Sequence, residues 1–215
     1  MPTRDLSQPL ENGMTVYPGD PPVAVEPVAT VDDDGYRVTG LYLTTHAGTH
    51  IDAPAHLLSN GKSLGTYPLE TFRFSAQRVD LRTLSPRQPI DADALPELER
   101  PEEVDLLVVR TGWDDRWGSP AYLDHPYLTA AAAEAILEWD VHVGIDAPNV
   151  DPTPTTSAED DEPDGYPVHH ALFGEGRLIL ENLRGLADLP DRFEVHAYPL
   201  ALEGDGSPVR AVAVF

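Results

Sequence analysis

Interleaved strand and helix signals predict an α/β or α+β domain spanning residues 1–215. Three observations carry this reading: several short runs rich in β-branched and aromatic residues, one alanine-rich helical run, and an apolar content of 41%. The length is enough to bury a core, and neither an internal repeat nor a domain-sized linker interrupts it. In chain order, Tyr36–Thr45 is the first strand signal. A weak helix starts at Asp91 in DADALPEL. Val104–Arg110 (VDLLVVR) is apolar without alternation, as expected of a strand covered on both faces. Thr129 precedes AAAAEAILEW, where a capping hydroxyl and alanine propensity predict the strongest helix. Val141–Ile145, Leu178–Glu181, Glu194–Leu202 and Val209–Phe215 read as further strands. Between them, Asp151–Pro167 holds prolines and the acidic cluster Glu159, Asp160, Asp161, Glu162 and Asp164. It reads as a long exposed loop over a site, because it ends just before His169.

Composition excludes several functions. The chain has no cysteine, which removes disulfides, thiolate nucleophiles and cysteine-ligated metals and leaves histidine and carboxylates as the available ligands. With 14 basic against 37 acidic residues, net −23, nucleic acid and anionic membrane surfaces are not expected partners. Lys62 is the sole lysine, and the acidity is read as adaptation to high salt. The N-terminal MPTRDLSQPL lacks the apolar region of a secretory signal, and no run of about 18 apolar residues exists, so a cytoplasmic protein is expected.

The chemistry is concentrated in Thr45–Leu58, THAGTHIDAPAHLL, where His46, His50, Asp52 and His56 supply ligands that suit Zn²⁺ or Mn²⁺. A straight strand would hold His46 and His56 roughly 33 Å apart. A continuous helix would point Asp52 away from His46 and His50, and Pro54 would break it. The segment must therefore be a strand end that turns at Gly48 and Pro54. Downstream, His169–Asn182 places Glu181 at the end of an apolar run, where a carboxylate is costly unless paired or metal-bound. His169 and Glu181 could complete a two-ion site bridged by Asp52 or Glu181. His125, His142 and His196 lack such company and are read as structural.

At these residues the chain resembles the metal-dependent cyclase/formamidase family, which includes kynurenine formamidase and isatin hydrolase. The signature H-x-G-T-H-x-D-x-P-x-H stands as His46, Gly48, Thr49, His50, Asp52, Pro54 and His56. Further similarity lies in Tyr17-Pro18-Gly19-Asp20, in Arg110-Thr111-Gly112-Trp113 with Trp117-Gly118 and Pro126-Tyr127-Leu128, and in Gly144-Ile145-Asp146-Ala147-Pro148 with Asp151. It extends to His169, Leu172, Phe173, Glu181, Asn182 and Leu183; Asn149 departs from a usual serine, and His170 is the alternative to His169.

The resemblance implies a swivelling β/β/α domain with a mixed β-sheet or barrel-like core flanked by helices, assembled as a homodimer or homotetramer. It implies one or two Zn²⁺ (or Mn²⁺) ions: His46, His50 and Asp52 around the first, His169 and Glu181 joining Asp52 around the second. His56 is then the general acid/base, and Tyr17 a wall of the substrate pocket. The implied activity is hydrolysis of a carbonyl C–N bond by metal-activated hydroxide, N-formylkynurenine giving kynurenine and formate. The alternatives are another cyclic amide or lactone, as for isatin hydrolase, or a non-catalytic metal-binding module. No G-x-S-x-G elbow supports a serine hydrolase.

Overall fold

The apolar run Leu106–Arg110 lies at the centre of a nine-stranded mixed sheet in the computed structural model, which describes residues 1–95 and 103–215. The strands are β1 (Thr3–Asp5), β2 (Ala24–Ala29), β3 (Val38–Tyr42), β4 (His50–Asp52), β5 (Arg73–Asp80), β6 (Pro89–Ile90), β7 (Leu106–Arg110), β8 (Tyr127–Leu128), β9 (His142–Ile145), β10 (Ile179–Glu181), β11 (Arg192–His196), β12 (Gly206–Pro208) and β13 (Val212–Val214). The helices are α1 (Val31–Asp34), α2 (Ala130–Glu138) and α3 (Pro167–Gly174). In the main sheet the order is β1-β13-β11-β5-β7-β9-β10-β4-β12, with β5, β7, β9 and β10 parallel and both flanks antiparallel. A β2–β3 hairpin and a short parallel β6–β8 pair stand apart from it.

Side-chain alternation explains why β7 reads as continuously apolar. Leu107 and Val109 pack with Ala132, Ala133 and Ile136 of α2 and Leu172 and Phe173 of α3. Leu106 and Val108 point the other way, into a core built with Ile51, Phe74, Val195 and Ala213 from strands of the curled, half-barrel sheet. Both faces are therefore covered. Helix α2 starts as expected, with the Thr129 hydroxyl accepting from the Ala132 amide.

The structure departs from the sequence reading in several places. The strand expected at Glu194–Leu202 ends at His196, within β11. The helix expected from Asp91 is one 3₁₀ turn at Ala92–Ala94, and its continuation into residues 96–102 lies outside the described residues. The longest elements not expected are strand β5 and helix α3; the short strands β1, β2, β6, β8 and β12 and the single-turn α1 were not expected either. Helix α3 forms because Pro167 presets its first turn and the Asp151 carboxylate accepts from the Val168 (2.9 Å) and His169 (3.0 Å) amides. The loop between β9 and α3 is largely exposed, as its composition suggests, and is anchored at Arg87. Glu162 makes a bidentate ion pair with the buried Arg87, which also donates to the Thr153 carbonyl (3.1 Å), pinning the loop to the body. Among the described residues no helix is long and apolar enough to cross a membrane.

His125, His142 and His196 stand away from the signature cluster. Buried His125 donates from Nδ1 to the Pro126 carbonyl (2.8 Å) and accepts at Nε2 from the Thr153 hydroxyl (2.8 Å). Burial pushes its pKa down from 6.5 to about 4. Because the folded value lies below the unfolded one, this residue's contribution is complete above the unfolded pKa. It is lost as pH falls through the folded value, and amounts to roughly 3 kcal/mol. Denaturant unfolding should therefore show a loss of stability between neutral and mildly acidic pH. That loss should shrink in His125→Gln; an unchanged pH slope in the variant would contradict the assignment.

Candidate metal centre and active site

The cluster is assembled by strand register. In β4 the side chains of His50 and Asp52 share one face, while Ile51 enters the core on the other. Neighbouring β10 pairs antiparallel with β4, setting Glu181 opposite His50 and Ile179 opposite Asp52. Helix α3 lowers His169 onto this face. His170, about 100° further round the helix, is exposed and does not line the cavity. His46 arrives from the turn before β4, which Gly48 makes with φ 65°. A Cβ on Gly48 would also meet Leu10 Cδ2 at 2.9 Å. His56 closes the 3₁₀ turn Pro54–His56.

All seven residues singled out in the sequence (Tyr17, His46, His50, Asp52, His56, His169 and Glu181) line one cavity of about 280 Å³. His50 Nε2 stands 3.3 Å from Asp52 Oδ1 and 3.5 Å from Glu181 Oε2. His169 Nε2 stands 3.6 Å from Glu181 Oε1 and 3.9 Å from Asp52 Oδ2. Four donors bonded at about 2.1 Å to a tetrahedral cation are about 3.4 Å apart, whereas a charge-assisted hydrogen bond is nearer 2.8 Å. The spacing among His50, Asp52, His169 and Glu181 thus fits ligands gathered about a cation, whereas His46 Nδ1 lies at hydrogen-bond distance from Asp52 Oδ1 (2.7 Å). Among the described residues, three donor triads have their atoms within 4.8 Å of one another: His46, His50 and Asp52; Asp52, His169 and Glu181, both centred on Asp52; and the more exposed His46, His56 and Asp205.

Partners behind the imidazoles fix their orientation. His50 Nδ1 donates to the Gly48 carbonyl (2.8 Å) and His169 Nδ1 to Asp151 Oδ2 (2.8 Å), so both turn Nε2 inward. Asn182 donates to the same Gly48 carbonyl (2.9 Å) and accepts from the Tyr122 hydroxyl (2.8 Å). The Asp146 carboxylate accepts from the Thr111 amide (2.7 Å), the Thr111 hydroxyl (2.6 Å) and the Gly112 amide (2.8 Å), joining two of the family-like segments beneath the site.

The electrostatics match a cation site. Burial would lower His169, but Asp151, Asp52 and Glu181 outweigh it and lift the pKa to about 10. His50 is raised well above the ordinary imidazole range: burial opposes this, and Asp52 and Glu181 prevail. Burial opposes the shift of Asp52 too, but His50 and His46 hold it well below the usual carboxylate range. A cation taking these lone pairs must displace protons. Burial and the neighbouring His46 depress His56, against the pull of Asp52 and Asp205.

Tyr17 and Tyr166 meet through their hydroxyls (3.1 Å) at the cavity rim, and Tyr166 ends the loop expected to cover the site. Two residues with direct contacts to the cluster were not foreseen in these roles: Asp151, behind His169, and Asp205, which contacts His46 and His56. Sequence signals for them exist only as Asp151 at the head of the loop and as the turn Gly204-Asp205-Gly206.

Comparison with known proteins agrees with this geometry. The family described as "Putative cyclase" matches residues 4–152. The chain is 35% identical to the kynurenine formamidase of Bacillus thuringiensis subsp. konkukian, over 97% of this chain and 95% of that protein. An isatin hydrolase bound to the product analogue thioisatinate superposes with a TM-score of 0.84 at 25% identity, over 99% of this chain and 92% of that one. A "predicted metal-dependent hydrolase" from Bacillus stearothermophilus superposes with a TM-score of 0.78 at 26% identity, over 99% and 97%. With its signature intact and nearly its whole length matched, this chain belongs to the cyclase family of hydrolytic enzymes.

Proposed function

We propose that the chain is a metal-dependent hydrolase of a carbonyl C–N bond that converts N-formylkynurenine and water to kynurenine and formate. The observation that carries the reading is the convergence of three imidazoles and two carboxylates on the floor of a cavity that also presents His56. The likeness to a kynurenine formamidase over 97% of the chain names the substrate. His46, His50 and Asp52 would hold one divalent cation, and Asp52, His169 and Glu181 a second. Zn²⁺ and Mn²⁺ both suit imidazole and carboxylate donors. Such an ion supplies Lewis acidity to the carbonyl oxygen and lowers the pKa of water.

The chain's own groups handle the rest. His56 Nδ1 is engaged by Asp205 (3.3 Å), which leaves Nε2 for the substrate side. Its depressed pKa keeps the ring neutral near pH 7, so Nε2 takes a proton from the attacking water. The same proton then passes to the amide nitrogen as its bond to the formyl carbon breaks, giving formate and the free aryl amine. Tyr17, with Tyr166, walls the pocket for the aromatic portion.

The structural likeness to an isatin hydrolase favours a second reading, a cyclic aryl amide opened by the same groups. Following N-formylkynurenine and isatin by ultraviolet absorbance separates the two. Faster turnover of N-formylkynurenine is expected. Faster turnover of isatin would establish the second reading, and hydrolysis of neither would reject both.

The enzyme is proposed to work in the cytoplasm as a homodimer or homotetramer. The β2–β3 hairpin supports assembly: it exposes Val28, Leu41 and Tyr42, and a two-stranded hairpin is marginal without packing. A net charge of −23 supports adaptation to high salt. Raising KCl from about 0.1 to about 1 M shortens the screening length from about 10 to about 3 Å, so the Tm should rise; a Tm that stays flat or falls would remove this reading.

A further inference from the structure

Asp205 touches the candidate centre from outside the family-like segments named above. It follows Gly204 and directly precedes β12, which pairs with β4 so that Gly206 stands opposite Asp52. The Ala53 amide donates to the Asp205 carbonyl (2.8 Å), so the sheet fixes its backbone. A Cβ on Gly206 would lie 2.6 Å from His46 Cε1 and 3.1 Å from Asp52 Oδ1. Glycine there lets the strand approach close enough for the preceding carboxylate to reach both rings.

The contacts of that carboxylate are selective. Oδ1 accepts from the Thr45 hydroxyl (3.2 Å). Oδ2 meets His46 Nε2 at 3.0 Å and His56 Nδ1 at 3.3 Å. The two rings lie 4.0 Å apart, so one oxygen serves both. His46 turns its other nitrogen, Nδ1, to Asp52 Oδ1 (2.7 Å), within the first donor triad. The arrangement repeats what Asp151 does for His169 and the Gly48 carbonyl for His50: an acceptor behind the ring selects the nitrogen that faces the site. Here it acts on a ligand imidazole and on the proton-transfer imidazole together.

We propose that Asp205 is a positioning residue that fixes the tautomer and ring orientation of both His46 and His56, tying cation binding to proton transfer through one shared carboxylate oxygen. The proposal rests on the hydrolase reading for the consequence in turnover, but not for the consequence in ring tautomer. Asp205→Ala removes both acceptor contacts; Asp205→Asn is isosteric and keeps one carbonyl oxygen.

The test uses the full Zn²⁺-loaded chain. Long-range ¹H–¹⁵N correlation of the imidazoles reads the tautomers, chelator competition reads Zn²⁺ affinity, and steady-state kinetics on N-formylkynurenine separates kcat from KM. In the parent chain His56 should carry its proton on Nδ1. In Asp205→Ala that preference should be lost, Zn²⁺ affinity should fall about 10–100-fold, and kcat should fall by a similar factor with KM nearly unchanged. Asp205→Asn should fall between the two, and it decides the matter where the alanine variant does not fold. An unchanged His56 tautomer with Zn²⁺ affinity within twofold of the parent would overturn the proposal. A parent chain without amidase activity would overturn the hydrolase reading instead, while the tautomer and affinity results still decide the role of Asp205.

Discussion

His56→Ala should cut turnover by about 10²–10⁴-fold while the purified protein keeps its metal. The split follows from geometry. The two buried triads that share Asp52 draw on His46, His50, His169 and Glu181 without His56, which joins His46 and Asp205 in a third, more exposed one. His56 instead stands at the end of its 3₁₀ turn, held from behind by Asp205 and half-exposed to the cavity. Its pKa lies below the ordinary imidazole value because burial and the adjacent His46 disfavour the charged ring. A ring that is neutral at the start can accept the water's proton, and the amine is a poor leaving group until it receives one. Alanine removes that carrier and leaves cation binding and substrate shape alone, so kcat falls and KM moves little. Turnover within tenfold of the parent would assign the proton transfer elsewhere. Metal lost along with activity would make His56 a ligand.

Asp52→Ala should abolish both metal retention and hydrolysis. Asp52 is 1% exposed and links the triad with His46 and His50 to the triad with His169 and Glu181. Its Oδ1 faces His46 (2.7 Å) and His50 (3.3 Å), and its Oδ2 faces His169 (3.9 Å). Removing it deletes the shared ligand and leaves buried imidazoles, whose positive charge it offsets, without their partner. Breaking such a buried pairing costs about 3–5 kcal/mol, so a lowered Tm should accompany the loss. The isosteric Asp52→Asn keeps the packing and separates the two effects: metal should still be lost, with a smaller fall in Tm. Full activity in either variant would contradict the account.

The central elements were legible because their signals are local. The apolar run of β7 shows its burial directly, and Thr129 with the following alanines marks α2. His46, His50, Asp52 and His56 fall within eleven residues. The offset of two between His50 and Asp52 already places them on one face of a strand. Helix α3 was hidden because its start is made by a distant carboxylate, Asp151, and by Tyr166 in a left-handed conformation (φ 58°). In β5 the alternation of Phe74 and Ala76 breaks at Arg78 and Val79, which blurs the strand period. Asp151 and Asp205 act on rings 18 and 149 or more positions away, and they stand among 37 acidic residues, so no local pattern distinguishes them. Glu162 shows the same limit in reverse: within a charge run that reads as solvated, it is the residue that pairs with buried Arg87.

The most direct test of the central claim, that the buried histidines and carboxylates hold a divalent cation required for hydrolysis, joins elemental analysis to chelation. The purified chain should carry one or two equivalents of Zn²⁺ or Mn²⁺. Formate release from N-formylkynurenine should fall to background when the ion is removed and return when it is restored. Undiminished formate release from the metal-free chain would contradict the claim.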